Sequence, residues 1–229
     1  GKLKTFDCVL ANPPFGMEKW GAAQFANDSY GRNIWGCPSD SCADFAWLQH
    51  MVNSMDPEKG RCAVVLPQGA LFHAGREGDM REKLVRSDKL EAVIALAGGV
   101  FYSTGVSACI LFLNNRKPRA HKGRICLIDG TEIYTPKRAQ NELSLRDVKT
   151  LCELYAGYTD VVERCRIVTV QEVQNAGFDL SVKRYIEKKK QEAMPPAAVR
   201  RSYAAALEAA RAAEERMRRL LLEGGYVHE

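Results

Sequence analysis

The chain has 229 residues, 46% of them hydrophobic and 27% charged, with a formal net charge of +5. That suits one well-cored domain plus an appendage; no apolar run approaches the ~20 residues of a membrane helix, and the first residues carry neither the basic start nor the apolar core of a secretory signal. Eight cysteines occur without any C-x-x-C pair and four histidines without any H-E-x-x-H cluster, so a disulfide framework and a metal site are not expected, and a reducing cytoplasm is.

Taken in order, Phe6-Asp7-Cys8-Val9-Leu10-Ala11 reads as a short buried strand, and Asn12-Pro13-Pro14-Phe15 follows it directly. Two prolines can neither continue a sheet ladder nor start a helix freely, so the chain must turn out at the strand's end. Residues 16 to 42, rich in Gly, Asn, Ser and Trp without a period, read as a long loop. Trp20, Tyr30 and Trp35 within it are assigned chiefly to pinning that loop to the body. Asp44 starts a helix with Phe45, Leu48, Val52 and Met55 on one face, closed by Asp56-Pro57. Strand Arg61 to Leu66, helix Glu77 to Arg86 with Met80, Leu84 and Val85 inward, strand Leu90 to Leu96 and strand Ser107 to Leu113 follow. This alternation is the second half of a doubly wound α/β sheet ending in a hairpin-like pair.

After Lys117 come a strand at Arg124 to Asp129, a helix capped by Ser144 and running to Tyr155, and a strand and helical turn over residues 166 to 174. Pro195-Pro196 opens a final helix in which Tyr203, Ala206, Ala210, Ala213, Met217 and Leu220 repeat at three-four spacing, a narrow seam of coiled-coil type. Gly224-Gly225 ends it. The resulting division is 1–116 for the sheet body, 117–186 for an accessory α/β extension and 187–229 for a C-terminal helix, whose seam fits a partner or its own body equally. From Lys183 onward there are eleven Lys or Arg against seven Asp or Glu. The body before it is nearly neutral and should hold DNA weakly, because sequence-independent affinity comes from phosphate neutralisation.

Asn12-Pro13-Pro14-Phe15 resembles the catalytic turn of methyltransferases that modify exocyclic amino groups, which implies DNA adenine chemistry. Open α/β sheets place ligands at such strand ends. An exocyclic amino group on a base is a poor nucleophile because its lone pair is delocalised into the ring, so a site that methylates it should accept its hydrogens and localise that pair. The Asn12 side-chain carbonyl and the Pro13 backbone carbonyl are neutral acceptors, Pro13 and Pro14 stiffen the backbone that carries them, and Phe15 offers a flat face to a base taken out of the duplex, worth roughly 1–3 kcal/mol of stacking.

Phe6 to Phe15, Ala43-Asp44-Phe45-Ala46-Trp47-Leu48, Gly60 to Pro67, Val100 to Val106 with Ile110-Leu111, and Phe178 to Tyr185 resemble, in order and spacing, the modification subunit of type I restriction systems. The resemblance covers roughly residues 3 to 186. It implies a partial Rossmann-like, S-adenosylmethionine-dependent methyltransferase sheet with a C-terminal helical extension. It also implies an N6-adenine methyltransferase of double-stranded DNA that works with a specificity subunit and a restriction subunit. Asn12 and Pro13 would then receive the target amino group and Phe15 would stack on the flipped adenine. Phe101 or Tyr102 is placed by position as the opposite stacking face, with core packing equally able to account for them. Ala97-Gly98-Gly99 stands where the family often carries proline.

A glycine-rich cofactor turn is missing: no two glycines are separated by a single residue. The chain therefore reads as the C-terminal portion of a longer protein, unable alone to bind S-adenosylmethionine, with an exposed edge on the catalytic strand that is open to self-pairing. No cofactor-binding residue is assigned. Two other readings stand beside this one, a non-catalytic scaffold for the specificity subunit and a protein glutamine N5-methyltransferase using the same turn.

Overall fold

In a computed structural model, residues 2–101, 105–138, 140–188 and 196–226 are described. Residues 1–188 form one compact unit and 189–229 a second.

Six strands make a single sheet: β1 (Cys8–Ala11), β2 (Arg61–Pro67), β3 (Leu90–Leu96), β4 (Ala108–Asn114), β5 (Arg124–Gly130) and β6 (Cys165–Thr169) in the order β1-β2-β4-β3-β5-β6. β1, β2, β3 and β5 run one way, whereas β4 and β6 run antiparallel to their neighbours. The expected pair of final strands is antiparallel, with Ile94 opposite Ile110. It does not close the sheet. β4 inserts between β2 and β3, pairing Val64 with Leu111, and segment 117–186 prolongs the same sheet through β5 and β6.

β3 is buried at all seven positions, which explains its unbroken apolar run: a strand covered on both faces has no reason to alternate. One face is covered by α2 (Asp44–Asn53), α3 (Arg76–Arg86), α5 (Val170–Asn175) and α6 (Val182–Tyr185). Phe45, Leu48 and Val52 of the predicted α2 face are buried there, as are Met80, Leu84 and Val85 of α3; Met55 is buried too, but past the end of α2 at Asn53, in a bridge with Phe6. Each such side chain contributes about 1.5–3 kcal/mol by leaving water. The opposite face carries α4 (Leu145–Gly157), whose Leu151 is buried against the sheet and whose Tyr155 stacks on Phe112 with ring centroids 4.9 Å apart. Ser144 caps α4 as expected, in a reciprocal box with Asp147. On this second face the cover does not reach β1, where Leu10 is 76% exposed, while Val9 on the first face is buried in the main core, and β1 has β2 as its one partner among the described residues.

The closing segment is tied down through a buried cation. Arg81 Nε donates to the Phe178 carbonyl (2.7 Å) and its Nη1 to the carbonyls of Ala70 (3.2 Å) and His73 (2.8 Å). The turn from α2 into β2 needs Gly60, since a Cβ there would lie 2.5 Å from the Asp56 nitrogen.

The long loop over residues 16–42 contains one short helix, α1 (Ala22–Ala26), that the aperiodic sequence did not signal. Its aromatics pin it: Trp35 is buried in the main core, Trp20 Nε1 donates to the Ser39 carbonyl (2.8 Å), and the Trp20 and Phe25 rings meet edge to face. The second unit consists of α7 (Pro196–Glu223) and the Gly224-Gly225 turn that follows it. Tyr203, Ala206, Ala210, Ala213, Met217 and Leu220 all lie within this continuous helix, where their spacing aligns them along one face.

Candidate active site at the end of the first strand

The common direction of β1, β2, β3 and β5 brings their C-terminal ends to one end of the sheet. Asn12-Pro13-Pro14-Phe15 leaves β1 at that end, with Asn12 and Pro14 exposed and Pro13 and Phe15 half-buried. Gly16 then adopts a left-handed φ of 56°, and its N–H donates to Asp44 Oδ1 at 3.0 Å. The left-handed turn suits glycine because a Cβ would be strained there.

Phe101, expected from position alone, reaches Phe15: the ring centroids are 5.7 Å apart and the planes meet at 72°, an edge-to-face pair. Both rings pack on the Ala92, Ile94 and Leu96 side of the core, so each serves packing as well as forming a wall beside the turn. Tyr102 lies outside the described residues.

Polar side chains absent from the sequence reading fix the Phe101 side. Gln140 Nε2 donates to the Val100 carbonyl (2.9 Å), and Asn141 Nδ2 donates to that of Gly98 (2.8 Å). Gly99, in the stretch where proline was the alternative, has a φ of 69°. At the base of this loop Gln68 Nε2 donates to the carbonyls of Leu96 (3.1 Å) and Ala108 (3.0 Å). Phe101, Lys137, Gln140 and Asn141 line a cavity of about 470 Å³. No pattern in the sequence could have joined residues forty positions apart in this way.

A second cavity, about 520 Å³, lies between the long loop and α2 and is lined by Met17, Trp20, Phe25, Tyr30, Trp47 and His50 among others. Burial, with the nearby Arg32 charge, pushes the His50 imidazole below its usual range. Among the described residues no group of three or more His, Cys, Asp or Glu could hold a metal ion.

The model of the N-6 DNA methylase family matches residues 1–194. The chain belongs to that family. Among its relatives, the type I restriction enzyme HindI methylase subunit of Haemophilus influenzae is 33% identical over 82% of the chain and 43% of the relative. The MjaVIII methylase subunit of Methanocaldococcus jannaschii is 32% identical over 79% of the chain and 32% of the relative. The crystal structure of a type I restriction-modification methyltransferase subunit from Streptococcus thermophilus superposes with a TM-score of 0.73 at 25% identity, covering 80% of this chain and 39% of that one. The EcoKI M protein shares the fold with a TM-score of 0.58. The chain thus spans less than half the length of these relatives.

Proposed function

We propose that this chain carries the target-base half of a type I DNA methylase subunit, which methylates N6 of adenine in double-stranded DNA and works in the cytoplasm with a specificity and a restriction subunit. The observation that carries this reading is Asn12-Pro13-Pro14-Phe15 at the C-terminal end of β1 with Phe101 against Phe15. The Asn12 side-chain carbonyl and the Pro13 backbone carbonyl accept the two hydrogens of the target amino group. That draws the nitrogen toward tetrahedral geometry and returns its lone pair from the ring. Phe15 stacks on the extruded adenine at roughly 1–3 kcal/mol, and Phe101 supplies the facing wall once the two rings part. Pro14 keeps the acceptors from turning away.

The methyl donor in this reading is S-adenosylmethionine. These residues do not build its cradle: the chain has no G-x-G turn, and such a turn is what lets a cofactor approach the backbone in doubly wound folds. β1 is the edge strand of the described sheet, with β2 as its one neighbour; a neighbouring strand on its other side would complete the sheet, and without one that edge is a self-pairing surface. Isothermal titration of this chain with S-adenosylmethionine is expected to give no micromolar binding; a specific heat at one site would refute this part.

The decisive experiment is Asn12→Ala in the complete subunit assembled with its partners. Methylation of N6 should fall about a hundred- to a thousandfold, as when one aimed polar partner of a transition state is removed, while assembly and DNA binding persist. Activity within tenfold of the parent refutes the role of Asn12. The parent assayed beside it separates the two alternatives: a scaffold would show no methylation, and a glutamine methyltransferase would label protein instead of DNA.

A further inference from the structure

Pro13 and Pro14 lack an N–H, so the turn that holds the acceptors has few backbone donors by which the fold can grip it. The first one after Phe15 is Gly16, and its N–H is bound by Asp44 Oδ1 at 3.0 Å, twenty-eight residues away. Asp44 is the first residue of α2, one position inside the N-cap from which an aspartate ordinarily accepts from the helix's own free N–H groups. Here α2 has no side-chain cap, its N-cap being Ala43. Asp44 is 4% exposed, a costly placement for a carboxylate unless donors surround it. Burial raises its pKa, opposed by the Gly16 N–H and the Cys42 side chain.

We infer that Asp44 is a positioning residue for the Asn12-Pro13-Pro14-Phe15 turn, holding it through the Gly16 N–H so that the acceptors and the Phe15 ring are aimed before substrate arrives. Asp44 itself touches no substrate. Its helix is anchored by Phe45, Leu48 and Val52 in the core, so the tether transmits the rigidity of the core to an otherwise exposed turn. The left-handed Gly16 makes this geometry reachable. The inference rests on the reading of the turn proposed above.

The test is steady-state methylation by the complete, assembled subunit carrying Asp44→Ala, Asp44→Asn or Asn12→Ala. Asp44→Ala should lower kcat about 10- to 100-fold, the scale expected for a misplacement of about an ångström, with KM for DNA within about threefold, because DNA affinity comes mainly from phosphate contacts. Asp44→Asn keeps an oxygen for the Gly16 N–H and should retain at least about a third of kcat. A fluorescent adenine analogue at the target base reports whether the base still settles against Phe15, and its signal should be altered in Asp44→Ala and restored in Asp44→Asn. Parental kcat in Asp44→Ala overturns the inference, as does an Asp44→Asn variant that melts normally yet is as slow as Asp44→Ala. If Asp44→Ala fails to fold, an Asp44→Asn variant that melts normally yet loses more than about tenfold in kcat against the parent overturns the inference. Should Asn12→Ala remain active, the reading of the turn itself fails; an inactive Asn12→Ala beside a fully active Asp44→Ala removes only the tether.

Discussion

Glu91→Ala should cost the first unit about 3–5 kcal/mol, the range for removing one partner of a buried charged cluster. Glu91 begins the inner part of β3, at the end of the sheet opposite the Asn12 turn, and is 4% exposed. Its carboxylate accepts from His121 Nδ1 at 2.9 Å, Asn114 Nδ2 at 3.0 Å and Tyr155 Oη at 2.8 Å. His121 is further fixed by stacking on Tyr158, with the planes 8° apart. Truncation strands these donors, at about 1–3 kcal/mol each. The adjoining cavity of about 400 Å³ admits water to some of them, which favours the lower end of the range. Glu91→Gln keeps an oxygen for two of the three and should cost about 1–2 kcal/mol.

Urea unfolding measures both variants. With a slope of about 2–3 kcal/mol/M, Glu91→Ala should move the midpoint down by about 1 M or more with the slope unchanged. The pH dependence gives a second reading. Burial alone would raise the Glu91 pKa, but hydrogen bonds from His121, Asn114 and Tyr155 outweigh it and leave it below the ordinary 4.5. The folded state therefore binds its proton less readily than the unfolded state. This contribution is fully present above pH 4.5 and is lost as pH falls through the depressed value. Glu91→Gln should lack that acid-side loss. A midpoint for Glu91→Ala within about 0.2 M of the parent, or an unaltered acid profile in Glu91→Gln, would refute the account.

Ser144→Ala should destabilise by about 1 kcal/mol, because the capping box with Asp147 loses its hydroxyl acceptor; thermal melting of the variant checks it, and an unchanged midpoint would mean the α4 terminus is satisfied otherwise. All eight thiols are free, and a maleimide pulse followed by peptide mass spectrometry should label exposed Cys8 and Cys152 first. Buried Cys62, Cys109, Cys126 and Cys165 should need unfolding, and Cys42 should lag, since burial pushes its pKa up to about 12 and the thiolate is the reactive form.

What was legible in the sequence was local. Apolar runs set the bodies of β1 to β6. The three-four spacing of Phe45, Leu48 and Val52 set α2, and Ser144 set the start of α4, because periodicity and capping act over a few residues. The turn at Asn12 was legible for the same reason, since two prolines dictate their own backbone whatever surrounds them.

Tertiary structure decided the rest. The order β2-β4-β3 depends on which strands pair, and two antiparallel apolar strands such as β3 and β4 read alike whether the second sits at an edge or is inserted. Asp44 looks like any helix-starting aspartate until the fold brings Gly16 within 3.0 Å. Phe15 and Phe101, eighty-six positions apart, become a pair only because β1 and β3 point their C-terminal ends the same way. The residue types at the site are written locally, whereas their mutual aim comes from long-range contacts that a one-dimensional pattern does not encode.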